Sequence, residues 1–247
     1  MLNYLLHFLF PRTCGHCHRD LVSQTQNPLC PTCFEQLQLI VPFLDSATIS
    51  FAPQNLYCQR CGIPLPHGGA HCHACRGKRF FCDNIRSVFL FTPPLQSLIH
   101  RFKYEDRKSL AQPLGEWMGS AFKQYPELQD TEILIPVPLH AQREKKRGFN
   151  QSHLLAAIHS QNTGLPLSKI LTRIKPTPPQ VKLSKTQRIE NVQEAFELHD
   201  TESIKHKKVL LIDDVCTTGA TLEECARVLR RKGHAKKVYA LTLARQI

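Results

Sequence analysis

The chain has 247 residues, of which 42% are hydrophobic and 8% aromatic, a composition typical of a packed globular protein. No apolar run reaches the roughly 20 residues that a membrane-spanning helix requires. The apolar stretch 1–10 lacks the basic leader and the small-residue cleavage site of a secretory signal. We therefore expect a cytoplasmic protein without a transmembrane segment. Residues 1–10 are predicted to form a short helix packed on the protein itself, and the alternative is a peripheral contact at the inner membrane.

The net charge of +12 is unevenly distributed along the chain. Residues 1–90 carry seven Lys/Arg and four Asp/Glu, whereas residues 141–188 carry ten Lys/Arg and one acidic residue, Glu144. Such a segment favours a phosphate-bearing partner, which is a small ligand, a nucleic acid or both. A merely solubilising surface is the alternative.

Eight of the 11 cysteines form four Cys-x-x-Cys pairs. Two thiolates three positions apart on a tight turn reach one ion at a Zn–S distance of about 2.3 Å, and a second pair completes a tetrahedron. Turn-forming residues accompany three of the pairs: Gly15 and Pro31 lie within the first and second, and Gly62 directly follows the third. We therefore predict about two structural zinc ions. The predicted ligands are Cys14, Cys17, Cys30, Cys33, Cys58, Cys61, Cys72 and Cys75.

Two alternatives bear on these cysteines. Disulfides are disfavoured because a Cys-x-x-Cys disulfide closes a strained ring and the chain shows no export signal. Pairs that are neighbours in sequence are expected to share an ion, and an interleaved arrangement remains open. With only seven basic residues in the first 90, the module is predicted to be a staple for segments too short to build a core, rather than an independent reader of DNA.

Hydrophobic periodicity predicts the elements that follow. Helices are expected over 95–102, 110–122, 151–162 and 221–232, strands over 85–91, 133–137, 209–212 and 238–243, and a basic loop between 138 and 150. The strand, helix and strand after residue 208 form a βαβ unit, so the fold class is α/β with a parallel sheet. We predict two domains, a cysteine-rich zinc-binding module over 1–84 and an α/β domain over 85–247.

The segment Val209–Leu222 is the most informative in the chain. A hydrophobic strand delivers Asp213 and Asp214 to the carboxyl edge of a sheet, where α/β proteins bind ligands. The threonine-rich turn 217–221 then enters a helix whose free N–H groups and dipole attract anions. This pattern predicts an anion cradle beside an acidic pair, suited to a phosphorylated sugar. A plain helix cap is the alternative, and the chain has neither a Walker nor a Gly-x-Gly-x-x-Gly motif.

The sequence Asp-Asp-Val-Cys-Thr-Thr-Gly-Ala-Thr at 213–221 resembles the phosphoribosyl-pyrophosphate (PRPP) loop of the type I phosphoribosyltransferases. Nearly the whole chain is similar to the ComF (ComFC-type) family of competence-associated proteins. The segments that carry this likeness are the cysteine pairs, Leu98–Tyr104 with Arg107, Val137–His140 with Arg143 and Arg147–Ser152, and the positions Gln180, Leu183, Arg188, Asn191 and Phe196.

The resemblance implies a role for each matching position. The 5-phosphate of PRPP would lie on Thr217, Thr218, Gly219, Ala220 and Thr221. Asp213 and Asp214 would be the catalytic pair and would contact the ribose hydroxyls. Arg143, Arg147 and Asn150 would lie near the pyrophosphate, with Mg²⁺ bridging its oxygens. The segment Thr177–Arg188 would close over the site and exclude water.

These inferences lead to a functional expectation. The protein is expected to bind PRPP, to transfer phosphoribose to an unknown acceptor, and to act in natural competence through uptake and cytoplasmic handling of single-stranded transforming DNA. Its expected partners are PRPP, single-stranded DNA and the DNA-uptake machinery, and Phe149 within the basic segment could stack on bases. The alternative is a phosphoribosyltransferase of nucleobase or other small-molecule metabolism with no DNA role. A zinc-finger transcription regulator is disfavoured because no recognition-helix module accompanies the cysteines.

Overall fold

The computed structural model describes residues 12–21, 26–40, 57–176 and 185–247. The helices in these ranges are α1 (Pro31–Glu35), α2 (Pro93–Tyr104), α3 (Ala111–Phe122), α4 (Ala141–Arg147), α5 (Gln151–Thr163), α6 (Lys185–Val192) and α7 (Ala220–Arg231). The strands are β1 (Asn84–Leu90), β2 (Ile133–Pro136), β3 (Leu171–Arg173), β4 (Phe196–Leu198), β5 (Lys208–Cys216) and β6 (Lys237–Arg245). Short 3₁₀ turns lie at Lys108–Leu110, Pro126–Leu128 and Glu202–Ile204.

The central sheet has four parallel strands in the order β1-β6-β5-β2. These strands are nearly continuous apolar runs, as expected for parallel strands that are covered on both faces. The predicted α/β class with a parallel sheet is therefore confirmed. At the carboxyl edge, Cys216 of β5 is in register with Arg245 of β6, which is in turn beside Leu90 of β1.

Helices cover both faces of this sheet. On one face, α2, α3 and α5 pack in a cluster that includes Leu98, Met118 and Leu155. On the other face, α6 and α7 pack with β3 and β4 around Val192, Leu222 and other apolar residues. A three-layer arrangement of this kind places the loops after the strands along one open edge of the sheet.

The prediction of a basic loop between 138 and 150 is wrong, since this stretch contains the helix α4. The His140 side chain accepts a hydrogen bond from the Gln142 amide at 3.3 Å, and Gly148 ends the helix at φ 82°. Helix α4 has no buried residue. The sequence prediction relied on apolar periodicity, which this helix lacks. The capping interactions at His140 and Gly148 set its two ends instead.

Three of the predicted zinc ligands near the N-terminus belong to the main core of the molecule. Cys14, Cys30 and Cys33 are buried in the same cluster as α2 and α3. Gly15 lies so close to α2 that a Cβ atom added to it would be 2.3 Å from Leu98 Cδ2. The division into domains at residue 84 stays a prediction.

Some expectations concern residues outside the described ranges. The predicted N-terminal helix over residues 1–10 lies there, as do residues 177–184 of the segment expected to close over the site. Within the ranges given above, no helix combines the length and the apolar character needed to cross a bilayer.

Candidate functional site

The two adjacent carboxylates of β5 are held by side chains from two different helices. Ser152 of α5 donates its hydroxyl hydrogen to Asp213 Oδ1 at 2.8 Å, and the Asp214 amide donates to the same oxygen at 2.9 Å. Lys103 of α2 forms an ion pair with Asp214 Oδ1 at 2.8 Å. The sequence predicted a strand that ends at residue 212, before the two carboxylates. In the structure β5 extends to Cys216, so both carboxylates lie within the strand. Their orientation is therefore fixed by the sheet and by both helices.

The pKa of Asp213 is raised to about 7. Burial is the main cause, and the neighbouring Asp214 carboxylate is the second. The hydrogen bond from Ser152 and the positive charge of Lys103 oppose this rise without cancelling it. The Asp213 carboxyl group consequently gains and loses its proton near neutral pH.

The loop after β5 presents backbone donors. Gly219 adopts φ 82°, which favours glycine, and it is the N-cap of α7. The Thr218 hydroxyl accepts a hydrogen bond from the Ala220 amide at 3.3 Å. Within the described ranges, the amides of Thr217, Thr218 and Gly219 donate to no protein acceptor. All residues of 217–221 are partly exposed, so this turn offers donors to an anion at a helix N-terminus.

Three arginines add positive charge at this edge. Arg147 of α4 donates to Gln151 and places its guanidinium 5.1 Å from the centre of the Tyr104 ring. Burial lowers the pKa of Arg143, and the charge of Arg147 lowers it further. Burial also lowers the pKa of Arg173, with a further contribution from Arg143. The repulsion among these guanidinium groups would be relieved by a bound anion.

Asn150 holds the loop between β2 and α5. Its side-chain NH₂ donates to the Val137 carbonyl at 3.1 Å, and its side-chain oxygen accepts from the Ser152 amide at 3.0 Å. The second contact makes Asn150 the N-cap of α5. Asn150 thus positions Ser152, the residue that binds Asp213.

The structure brings further residues to the site that the predicted set did not include. Lys103, Ser152, Tyr104 and Arg173 all lie beside the acidic pair or the arginines. Lys103, Ser152 and Tyr104 occur in segments that carry the family likeness, so the sequence contained a signal that could have identified them. Arg173 lies in β3, a strand of three residues that has no motif and was not predicted.

The expectation that Phe149 stacks on bases is wrong. Its side chain is buried, with its ring centre 5.7 Å from that of Phe102, and Lys108 lies over the ring at 5.4 Å. Tyr104 instead presents an aromatic ring to solvent, with 63% of the residue exposed. The sequence could not distinguish these two rings, because each follows a basic stretch.

The eight cysteines form two groups of four. In each group the four sulfur atoms lie within 4.8 Å of one another, and the members are neighbours in sequence: Cys14, Cys17, Cys30 and Cys33, then Cys58, Cys61, Cys72 and Cys75. All are free cysteines, with Sγ–Sγ separations of 3.6 Å for Cys17–Cys30 and 3.7 Å for Cys61–Cys72. Four thiol ligands in a compact group fit tetrahedral zinc, so each group could hold one ion. We call them the first and second cysteine clusters.

The fold and the site together define a phosphoribosyltransferase-like α/β protein with an N-terminal cysteine module. Residues 151–247 match the model of the family described as the phosphoribosyl transferase domain. The chain is 32% identical over 225 residues to Competence protein F of Haemophilus influenzae, which covers 89% of this chain and 91% of the relative. It is 34% identical to the DNA utilization protein YhgH of Salmonella typhimurium, covering 72% and 79% respectively. The chain belongs to the ComF (ComFC-type) family.

Two other similarities are more distant or cover less of the chain. Competence protein ComFC of Bacillus subtilis is 34% identical over 65% of this chain and 63% of its own length. Among solved structures, the glutamine PRPP amidotransferase of B. subtilis in complex with ADP and GMP matches 58% of this chain and 30% of its own. That match has a TM-score of 0.40 and 17% identity.

Metal analysis of reduced, freshly purified protein should find about two zinc ions per chain, one for each cluster. Replacing Cys14 and Cys17 by serine should remove about one equivalent, because two thiolates no longer hold the ion. The double substitution Cys82→Ser with Cys225→Ser is the matched control, since both thiols lie outside the clusters. A zinc content near zero in the unsubstituted protein would contradict the assignment.

The raised pKa of Asp213 should make stability depend on pH. The folded protein binds this proton more tightly than the unfolded chain, whose carboxyl has an ordinary pKa near 3.8. The contribution to the free energy of unfolding is therefore full below pH 4 and is lost as the pH rises through about 7. We expect Asp213→Asn to reduce this loss of stability by on the order of 2 kcal/mol. This figure is smaller than the free energy that the whole pKa difference would give, because Asp213 is partly exposed.

Urea unfolding of the zinc-loaded protein at several pH values between 5.5 and 8 would measure this difference. Asp106→Asn, at an exposed position, is the control and should leave the pH dependence unchanged. Parallel pH profiles for Asp213→Asn and the unsubstituted protein would show that this carboxyl titrates outside the interval.

Proposed function

We propose that the protein binds PRPP at the carboxyl edge of the sheet and transfers its phosphoribosyl group to an acceptor. The observation that carries this proposal is the turn 217–219, whose amides have no acceptor within the described ranges and which immediately follows an acidic pair. The 5-phosphate would accept hydrogen bonds from these amides and from the threonine hydroxyls. The N-terminal end of α7 adds a favourable dipole.

Asp213 and Asp214 would contact the two ribose hydroxyls. Asp214 already forms an ion pair with Lys103 through Oδ1, so its orientation is fixed and its other oxygen is a well-oriented acceptor. Asp213 accepts two hydrogen bonds within the protein through Oδ1, which leaves Oδ2 for the sugar. Because the Asp213 pKa lies near 7, the ionised acceptor and the protonated donor are both accessible at neutral pH.

Arg143 and Arg147 would face the pyrophosphate. When the bond between C1 and the pyrophosphate oxygen breaks, its electron pair leaves with the pyrophosphate, and the acceptor supplies a new pair to C1. Fixed guanidinium groups stabilise the charge that grows on the leaving oxygens. Mg²⁺ bound with PRPP would supply Lewis-acid stabilisation of those same oxygens. Asn150 would act by holding the end of the segment in which α4 carries both arginines.

A second function, the handling of single-stranded DNA, is favoured by a different surface. A groove of about 500 Å³ lies between the first cysteine cluster and α2, and is lined by His16, His18, His100, Arg101 and Tyr104 among others. The exposed Tyr104 ring stands between this groove and the basic helix α4. An aromatic ring beside cationic side chains suits unpaired bases and the phosphates that join them. The names of the relatives, a competence protein and a DNA utilization protein, support the same role.

The expected cellular setting follows from this second function. We propose a role on the cytoplasmic side of DNA uptake, with the uptake machinery as partner. The cysteine clusters would be zinc staples of an N-terminal module that ends near residue 84. Lys145 and Lys146 are exposed cations on α4, and we infer that they favour a role with nucleic acid over a purely metabolic one.

The double substitution Asp213→Asn with Asp214→Asn should weaken PRPP binding at least about 100-fold, because two oriented acceptors for the ribose hydroxyls are lost. Isothermal calorimetry with PRPP and Mg²⁺ would measure the affinity. The matched control is Asp130→Asn with Glu132→Gln, an acidic pair that contacts Lys208 at the opposite end of β5. Unchanged PRPP affinity in the first variant would reject the assigned site.

Charge reversal of Lys145, Lys146 and Arg147 to Glu should weaken single-stranded DNA binding and reduce the slope of log affinity against log salt by about 2. Fluorescence anisotropy with a labelled oligonucleotide at several salt concentrations would measure both. Reversal of Lys205, Lys232 and Lys236, exposed cations at the amino edge of the sheet, is the control with the same change in charge. Equal weakening in the two variants would assign the effect to net charge and not to α4.

A further inference from the structure

Ile85 joins the second cysteine cluster to the phosphate loop, the turn 217–221. Its amide donates to the Arg60 carbonyl at 2.7 Å, between Cys58 and Cys61. Gly62 packs so closely on the Ile85 carbonyl that an added Cβ would lie 2.7 Å from that oxygen. On its other side, the Ile85 Cδ1 atom lies 3.3 Å from the position of a Cβ on Gly219. One residue therefore contacts both the cysteine turn and the glycine of the phosphate loop.

Arg245 forms a second connection between the same two parts. It is 3% exposed, lies at the carboxyl end of β6 and donates from Nη1 to the sulfur of Cys216, the residue that precedes the phosphate loop. Over the residues that the structure describes, no carboxylate lies within ion-pair distance of Arg245, and its Nε has no acceptor. A buried cation in this position is costly unless negative charge nearby compensates it.

The second cysteine cluster can supply that negative charge. Burial raises the pKa of the Cys61 thiol, and the positive charge of Arg245 opposes this rise. Four thiolates around one Zn²⁺ carry a formal charge of about −2, which is distributed over the sulfurs. A filled cluster would therefore stabilise Arg245 in place, and Arg245 in turn holds Cys216.

The first cysteine cluster has different neighbours. Gly15 packs on Leu98, and His16 Nδ1 lies 2.8 Å from the Ser97 hydroxyl oxygen, so this cluster supports α2. It belongs to the core cluster on the face of the sheet opposite to that of Ile85 and Cys216. The two clusters are thus expected to have separate effects on the site.

We propose that Ile85, through its contacts, and Arg245, through its charge, are positioning residues that couple the metal of the second cysteine cluster to the geometry of the phosphate loop. Metal in this cluster holds Arg245 and Ile85, which in turn hold Cys216 and Gly219. Loss of this metal loosens the loop, whereas loss of metal from the first cluster does not. The importance of this coupling for ligand binding rests on the proposed function, but the coupling itself can be measured without a ligand.

Two amide hydrogens report directly on the loop. The Glu223 amide donates to the Gly219 carbonyl at 2.9 Å, and the Gln246 amide donates to the Cys216 carbonyl at 3.0 Å. Their hydrogen-exchange rates by NMR therefore measure whether the two ends of the loop stay in place. In zinc-loaded Arg245→Met we expect both rates to rise about tenfold and a chelator to remove one of the two zinc ions faster. Arg245→Lys, which keeps the charge, should restore most of both effects.

Two further variants separate this coupling from general instability. Ile85→Val removes the Cδ1 atom that contacts Gly219 and should speed exchange of the Glu223 amide, with both zinc ions retained. Lys205→Met removes a cation from an exposed position and should change neither readout. Serine at Cys58 and Cys61 should speed exchange at Glu223 and Gln246, and serine at Cys14 and Cys17 should not.

The outcomes are distinct for this coupling and for the proposed function. Exchange rates at Glu223 and Gln246 that are the same in Arg245→Met, in Cys58→Ser with Cys61→Ser and in the unsubstituted protein would overturn the coupling, whether or not PRPP binds. If the rates change as expected and calorimetry detects no PRPP binding to the unsubstituted protein, the coupling stands and the proposed ligand is rejected.

Discussion

Two neighbouring carboxylates in a largely buried position constrain the rest of this structure. Side by side they repel each other, and burial removes the water that would stabilise their charges. An ion pair from Lys103 stabilises the Asp214 carboxylate, and a hydrogen bond donated by the Ser152 hydroxyl stabilises that of Asp213. These two groups come from helices on the same face of the sheet, so the packing of both α2 and α5 on that face stabilises the acidic pair.

The surroundings of this pair show a consistent arrangement of charge. In the proposed complex, the arginines would face the pyrophosphate, the backbone donors of the turn 217–219 would face the 5-phosphate, and the acidic pair would face the ribose hydroxyls. Burial lowers the pKa of both Arg143 and Arg173, and the neighbouring positive charges of Arg147 and Arg143, respectively, lower them further, so the fold holds part of the site in an electrostatically unfavourable state. Sites of this kind are typical of ligand binding, because the ligand relieves the repulsion that folding alone leaves.

The cysteine clusters contribute to the site through packing. The first cluster shares the main hydrophobic core and adjoins the groove beside Tyr104. The second forms a small cluster of its own and contacts Ile85, which in turn contacts Gly219 of the turn 217–221. The cysteine-rich N-terminal part is too small to form a core of its own, and it packs instead against residues of both faces of the sheet.

The sequence by itself determined the parallel α/β class, the main strands and helices, the four-cysteine groups and the acidic pair with its threonine turn. These features are local: they depend on apolar periodicity, on ligand spacing and on adjacent residues. The tertiary structure alone decided that Lys103 and Ser152 hold the carboxylates, that Arg173 enters the site, and that Tyr104 is exposed while Phe149 is buried. The physical reason is that burial and ion pairing depend on which residues meet across the fold, and residues as far apart as 103 and 214 share no local pattern.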